Sequence, residues 1–284
     1  MSGNEINNGS PRILAVANQK GGVGKTTTAI NLGTAMAAIG ECVLIIDMDP
    51  QGNASTGLGI SHDERKISTF DILMDPNIVT QSLLATAVPG LLLMPSTLDL
   101  LGVENELAGA PDRAFRLKQA IELIKNVQIN TGDETKPFDY IIIDCPPSFN
   151  LLTINAMAAA QSVLVPVQAE FFALEGLSQL TNSITEFREM LNPNLEIMGI
   201  VLTMVDSRTN LSKDVAKQVS SVFGKKLYNS VIPRNISVSE APSHGKPVLL
   251  YDLKASGSQA YIQLAKEIIQ NEKGLGDPAA MQAG

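Results

Sequence analysis

The sequence predicts an α/β fold, a doubly wound, mostly parallel sheet with helices on both faces. Short β-rich apolar runs alternate along the chain with segments whose apolar residues recur every three or four positions. Most of those runs are apolar throughout, as strands covered on both faces are. The first run leads directly into a glycine-rich turn and a helix start. Such alternation implies parallel strands joined by right-handed crossovers.

In chain order, the predicted strands are Arg12–Asn18 (RILAVAN), Cys42–Asp47 (CVLIID), Leu91–Pro95 (LLLMP) and Tyr140–Asp144 (YIIID). Ser162–Val167 (SVLVPV), Ile197–Val205 (IMGIVLTMV) and Leu227–Ile232 (LYNSVI) follow. Thr26–Ile39 reads as a helix stopped by Gly40, a natural C′ residue. Asp112–Val127, Leu174–Leu191 and Leu211–Phe223 carry helical spacing, and Gly257–Gln270 closes the fold. With no internal repeat and no long linker, residues 12–270 are expected to form one domain. Residues 1–11 read as a flexible polar lead and 271–284 as a flexible tail.

At 284 residues, 44% hydrophobic and 18% charged, the chain has the composition of a globular protein with a substantial core. The lead lacks the apolar centre of a signal peptide, and no apolar run reaches the ~18 residues of a membrane span. Two cysteines, Cys42 and Cys145, cannot make a disulfide framework and suit a reducing cytoplasm. A net charge of −8 weighs against a nucleic-acid partner without excluding one, because binding responds to a local patch.

The stretch NQKGGVGKTTT, Asn18 to Thr28, ends like the phosphate-loop pattern G-x-x-x-x-G-K-[ST] but does not begin like it. Gly24, Lys25 and Thr26 fit the end. The position of the first glycine holds Gln19, and a second lysine, Lys20, follows. Gly21, Gly22 and Gly24 let successive backbone N–H groups curl around an anion, and the helix behind them adds its positive end. The run Lys20, Gly21, Gly22, Val23, Gly24, Lys25, Thr26 and Thr27 is the expected nucleotide contact. Lys25 would reach the β- and γ-phosphates, and the Thr26 hydroxyl would ligate Mg²⁺. Asp144 ends a buried strand where a Walker-B-type carboxylate serves the metal. Asp47 and Asp49 stand at another strand end, and strand carboxyl ends line the ligand crevice of such sheets. Lys20 on residues alone is either a solvated loop lysine or a functional cation.

Three motifs, KGGVGKTT, DMDPQGN and IIIDCPPS, together resemble the deviant-Walker-A ATPases of the ParA/Soj family, which segregate chromosomes and plasmids. The similarity runs on through LTMVDSRTNLS and VIPRNISVSEAPSHGKPVLLYD and spans about Arg12 to Gln270. The first motif alone would admit the wider superfamily of MinD, Mrp-like and nitrogenase iron-protein relatives. The PRN…SEAPSHGKP segment is more specific to ParA/Soj.

The resemblance implies a single phosphate-loop ATPase domain using ATP and Mg²⁺, in the cytoplasm and on the nucleoid. It assigns Lys20 to a dimer interface, where it would touch the phosphates bound by the other subunit and offset the repulsion between two sandwiched nucleotides. It gives Asp49 the positioning or activation of the attacking water and Asp47 a place in the Mg²⁺ outer shell. Lys20, Lys25 and Asp49 are thus the expected catalytic residues, and Thr26, Asp47 and Asp144 the metal residues. Pro233 and Asn235 match positions that frame the adenine. The implied partners are a second copy of the chain, non-specific DNA and a ParB-type centromere-binding protein that stimulates slow hydrolysis through a basic N-terminal peptide.

The resemblance also places a DNA-contacting arginine at Arg208, and Lys213 and Lys217 follow it on a helix; helix lysines alone more often mark a solvated face. Ser237 departs from the pattern, since relatives commonly carry arginine there, and losing one phosphate contact weakens binding. Three rival readings fit less well. An iron–sulfur carrier would bridge a cluster with thiolates from two subunits, whereas Cys42 and Cys145 read as small buried side chains. A MinD-like membrane-cycling ATPase would end in a basic amphipathic helix, whereas AYIQLAKEIIQ has the pattern of a core-packing helix. A metabolic enzyme on the same fold would need a polar substrate cluster, and neither His62 nor His244 sits in an acid–base arrangement.

Overall fold

Seven strands make the main sheet. β1 (Arg12–Val16) lies between β5 (Tyr140–Asp144) and β6 (Ser162–Gln168); β2 (Val43–Asp47), β3 (Leu84–Ala85), β4 (Leu91–Met94) and β7 (Glu196–Thr203) complete it in the order β3-β4-β2-β5-β1-β6-β7. Every neighbouring pair is parallel except β3 with β4 at one edge. The structure, a computed structural model, describes residues 10–130, 135–170, 173–206 and 208–274. Residues 1–9 of the expected lead and 275–284 of the expected tail lie outside them.

The strands are buried on both faces because each face carries its own apolar layer. Ile13, Ala15, Leu44, Ile46, Ile141 and Ile143 face one cluster; Leu14, Val16, Val43, Ile45 and Ile142 face the other. Successive strand side chains alternate in direction, so an unbroken apolar run serves both layers at once. Helices α3 (Thr69–Met74), α4 (Arg116–Ile124), α5 (Leu151–Ala159), α6 (Ala173–Met190) and α7 (Asn210–Phe223) supply the first layer. The second comes from α1 (Lys25–Ala38) and the closing helix α9 (Ser256–Glu272), with α2 (Asn53–Gly57) and α8 (Ile236–Glu240) at its margin. Each fully buried Leu or Ile contributes about 1.5–3 kcal/mol by leaving water.

The closing helix is a core element, as its sequence pattern suggests. Tyr261, Leu264, Ala265 and Ile268 are buried against α1. It runs two residues past the expected end at Gln270, and Glu272 accepts from Arg12 Nε at 2.7 Å and from the Tyr140 hydroxyl at 2.9 Å. Among the described residues no helix is long and apolar enough to cross a membrane.

Two expectations are corrected. Leu227–Ile232 is not a strand; single parallel bridges join Leu227 to Ile200 and Pro233 to Val205. The ladder breaks because the N–H groups of Asn229 and Ser230 donate to the Glu267 carboxylate of α9, at 2.7 and 2.8 Å, instead of to β7. The helix expected over Asp112–Val127 spans only Arg116–Ile124. Asp112 stays outside it as the ion partner of Arg116 at 3.2 Å and the acceptor of the Gln119 amide at 3.1 Å.

What positions the site is register. Val16 and Asp47 both lie opposite Asp144 across the sheet, so β1, β5 and β2 end in step. The loop leaving β1 therefore passes over two carboxylates.

Candidate nucleotide site

β1 ends at Val16, and the loop to α1 is held from below. Asn18 is buried, donates its amide to Pro166 O at 2.8 Å and accepts from Lys20 N–H at 3.0 Å. The Thr203 hydroxyl donates to Val23 O at 2.8 Å. Gly24 enters α1 with φ of 88°, a left-handed conformation that side chains resist. No side chain caps the helix, so its first N–H groups stay open toward the loop. Gly21 and Gly22 are exposed, and Thr26 and Thr27 are partly so.

The two lysines of this loop face opposite ways. Lys25 is 7% exposed and donates from Nζ to Lys20 O at 3.2 Å, closing the loop on itself. Burial lowers its pKa, while Asp144, Cys145 and Asp49 nearby favour its charge. Lys20 points outward, with 42% of its side chain accessible and Nζ 2.9 Å from Glu170 Oε2.

Three aspartates stand below and beside the loop, as the strand ends imply. Asp47 is fully buried and accepts from Ser55 N–H at 2.8 Å, the Ser55 hydroxyl at 2.7 Å and Asp49 N–H at 3.2 Å. Asp49 is half-buried. Asp144 is also fully buried, yet neither carboxylate oxygen has a conventional hydrogen bond; the Thr26 hydroxyl is near enough only to favour its charge slightly. Burial first, then repulsion from Asp47, pushes the Asp144 carboxyl well above the ordinary aspartate range; burial raises Asp47 as well.

A buried carboxylate without a donor is costly unless something completes it. Around Asp144 stand the Thr26 hydroxyl and the Asp47 and Asp49 carboxylates, hard oxygens of the kind Mg²⁺ takes, with the Lys25 ammonium offsetting part of their charge. Among the described residues no cluster of three His, Cys, Asp or Glu side chains could hold a metal alone. That also fits, because Mg²⁺ takes one or two protein carboxylates and fills the rest with water and phosphate oxygens.

Beside the loop lies a cleft lined by Gly24, Thr27, Thr203, Met204, Pro233, Arg234, Asn235, Val238, Ser239 and Tyr261. The sequence-predicted pair Pro233 and Asn235 is in it. Asn235 accepts from Val238 N–H at 3.1 Å, capping α8, and its amide donates to Ser256 Oγ at 3.0 Å. Thr203, Met204, Val238, Ser239 and Tyr261 were not predicted. Met204 has φ of 52°, the single non-glycine residue at positive φ among those described, and such strain gathers at functional sites. The position of Thr203 at a strand carboxyl end was the available signal.

Arg208, Lys213 and Lys217 do not join this cleft. Lys213 and Lys217 are exposed one turn apart on α7. Arg208 sits before that helix, 86% of its side chain accessible, and is gripped by Asp206 through Nε–Oδ1 at 2.9 Å and Nη2–Oδ2 at 2.7 Å. That grip holds the Asp206 carboxyl down at about 2. Ser237 stands 3.4 Å from Asp252 Oδ2. His244 stacks on Tyr251 with ring centroids 5.0 Å apart, and His62 is exposed.

A parallel sheet with an anion-ready loop at its switch point and carboxylates on the adjoining strand ends defines a phosphate-loop nucleotide-binding protein. A family model described as an AAA domain matches residues 11–197. The chromosome partitioning protein ParA of Caulobacter vibrioides is 57% identical over 262 residues, 92% of this chain and 95% of that protein. The sporulation initiation inhibitor protein Soj of Bacillus subtilis is 50% identical over 260 residues, 92% of this chain and 99% of that protein. Among solved structures, cobyrinic acid a,c-diamide synthase from Mycobacterium smegmatis, with bound ADP and magnesium, superposes with a TM-score of 0.78 at 35% identity, covering 93% of this chain and 96% of that one. The chain belongs to the ParA/Soj family of chromosome-partitioning ATPases.

The electrostatics of the two buried carboxyls make a prediction. A carboxyl whose pKa is raised on folding is bound more tightly to its proton in the native state. Its contribution to stability is therefore full below the unfolded value near 3.9 and declines as pH rises toward the folded value. Asp144→Asn should then raise the melting temperature of the nucleotide-free protein at neutral pH, by about 2–8 °C for roughly 1–2 kcal/mol. It should also remove the Mg²⁺-dependence of nucleotide affinity. Differential scanning calorimetry of the nucleotide-free protein checks the first and nucleotide titration with and without Mg²⁺ the second; an unchanged or lowered melting temperature would show that Asp144 is not frustrated.

Proposed function

We propose that this chain is an ATP- and Mg²⁺-dependent switch for DNA partitioning, in which two protomers clasp two ATP molecules between them and hydrolysis dissolves the pair. The observation that carries this reading is the divergence of the two loop lysines. Lys25, buried within the loop, serves the nucleotide of its own protomer. Lys20, on the outside with an exposed ammonium, is available to the nucleotide of a neighbour. Two triphosphates brought face to face concentrate negative charge, and one cation lent from each side offsets it in a water-poor interface.

Hydrolysis needs placement and charge neutralisation more than covalent chemistry. Asp49 orients the attacking water, whose oxygen bonds the γ-phosphorus as the bond to the β–γ bridging oxygen breaks, giving ADP and phosphate. Lys25 and the open N–H groups of α1 stabilise the charge on the phosphates. Thr26 and Asp144 would hold Mg²⁺, with Asp47 in its outer shell, and the metal when bound neutralises the β- and γ-oxygens. Pro233 and Asn235 frame the base. Loss of the γ-phosphate removes what Lys20 of the neighbour was holding.

In the same reading the paired state binds DNA without sequence preference through Arg208, Lys213 and Lys217, and a ParB-type protein times hydrolysis. The structural likeness to a cobyrinic acid amidation enzyme supports a metabolic alternative. The relatives at 57% and 50% identity, named for chromosome partitioning and sporulation control, favour the partitioning reading.

Lys20→Ala should leave ATP affinity within about twofold of wild type while abolishing the ATP-dependent dimer in multi-angle light scattering; an undiminished dimer sinks the cross-interface role. Asp206→Asn should free Arg208 for phosphate and tighten DNA binding about two- to fivefold at moderate salt, with a steeper fall as salt rises. DNA retention by filter binding across a salt series reads this. Equal affinity and slope in the two proteins would remove Arg208 from the DNA surface.

A further inference from the structure

A buried chain of hydrogen bonds runs beneath the segment that carries Asp47 and Asp49. Arg65 is 5% exposed, and no carboxylate lies within ion-pair distance of it among the described residues. Its guanidinium donates to neutral oxygens, Nη1 to Ser96 O at 3.2 Å and Nη2 to Thr56 Oγ1 at 2.8 Å and Ile60 O at 2.9 Å, and the Asp47 carboxylate favours its charge from farther off. Ser96, fully buried just past the end of β4, donates its hydroxyl to Asp49 O and its N–H to Ser55 Oγ at 3.0 Å. The Ser55 hydroxyl in turn donates to Asp47 Oδ2.

The segment lies directly on the guanidinium. Gly52 has φ of 63°, and a Cβ there would collide with Arg65 Nη1. Asp49 is thereby fixed on both sides of its peptide: its N–H by Asp47 Oδ1, its carbonyl by Ser96 Oγ and Gly52 N–H. Its carboxylate accepts Gln51 N–H at 3.0 Å and reaches the site from that fixed backbone.

We propose that Ser96 and Arg65 are positioning residues for ATP hydrolysis, holding the Asp49 backbone so that its carboxylate keeps one place relative to the phosphate loop. This rests on the reading of Asp49 as the residue that orients water. Burying a guanidinium against neutral oxygens is expensive, and loosening a reacting group by about 1 Å can cost up to ~100-fold in rate. Neither residue touches the cleft or the phosphate loop, so their loss should spare nucleotide binding.

The test is Ser96→Ala, with Ser82→Ala as its control. Ser82 is equally buried and donates its hydroxyl to Val79 O at 2.8 Å in a different part of the fold, so that variant loses the same kind of bond. Basal ATP turnover, affinity for a fluorescent ATP analogue and melting temperature are measured for both. Ser96→Ala should lower kcat by about tenfold or more with nucleotide affinity within about twofold, whereas Ser82→Ala lowers only the melting temperature. Arg65→Lys should repeat the Ser96→Ala pattern; if it does not fold, Ser96→Ala decides. Unchanged kcat in Ser96→Ala, or a loss of affinity in step with kcat, would overturn the proposal. Asp49→Ala in the same assay separates the two layers. Full turnover without the Asp49 carboxylate defeats the underlying reading, while an inactive Asp49→Ala beside a fully active Ser96→Ala defeats the positioning role alone.

Discussion

The arrangement rests on an incomplete charge balance. Asp144 and Asp47 end neighbouring strands side by side in the dry interior of the sheet, with the Lys25 ammonium beside Asp144 and the buried Arg65 guanidinium, beyond ion-pair distance, on the side of Asp47. A protein that only needed to fold would gain by replacing one of these carboxylates with an amide. On the proposed reading their presence makes sense when a divalent cation and a triphosphate arrive together, because Asp144 would then take part in holding the cation and Asp47 would sit in its outer shell. The sheet makes this possible: parallel strands in register bring Val16, Asp144 and Asp47 to one level, directly under the loop leaving β1.

From that balance follows a division of labour between two cations only five residues apart. Lys25 is committed to the interior and closes on the carbonyl of Lys20. Lys20 is held by Glu170 at the surface, an exposed pair of the sort that contributes little and exchanges readily. On the proposed reading, a partner's phosphates offer it more than Glu170 does. On the proposed reading this difference is what lets a small molecule act as adhesive between two protomers. Arg208 is likewise an exposed cation already engaged by a carboxylate, that of Asp206.

Much of this was legible in the sequence because it is encoded locally. The glycine loop, the helix behind it and the aspartates closing apolar strands are short-range features, and each is where the pattern puts it. What was not legible depends on distant partners. Leu227–Ile232 reads as a strand, but Glu267, some forty residues on, takes the N–H groups that would have extended the ladder. Leu84–Ala85 is too short to announce itself, and α5 is apolar nearly all round, without the amphipathic period that marks a helix. Arg65 resembles any surface arginine in a polar loop until the fold closes over it. The strained backbone of Met204 has no counterpart in composition at all.

The most direct test of the central claim is crystallographic: the protein with a slowly hydrolysed ATP analogue and Mn²⁺ in place of Mg²⁺, the metal located by its anomalous scattering. The account predicts a single strong peak between the Thr26 hydroxyl, Asp144 and the nucleotide phosphates, with the Lys20 ammonium of a second protomer reaching those same phosphates. A peak remote from Asp144, or a nucleotide bound with no metal beside that carboxylate, would contradict it.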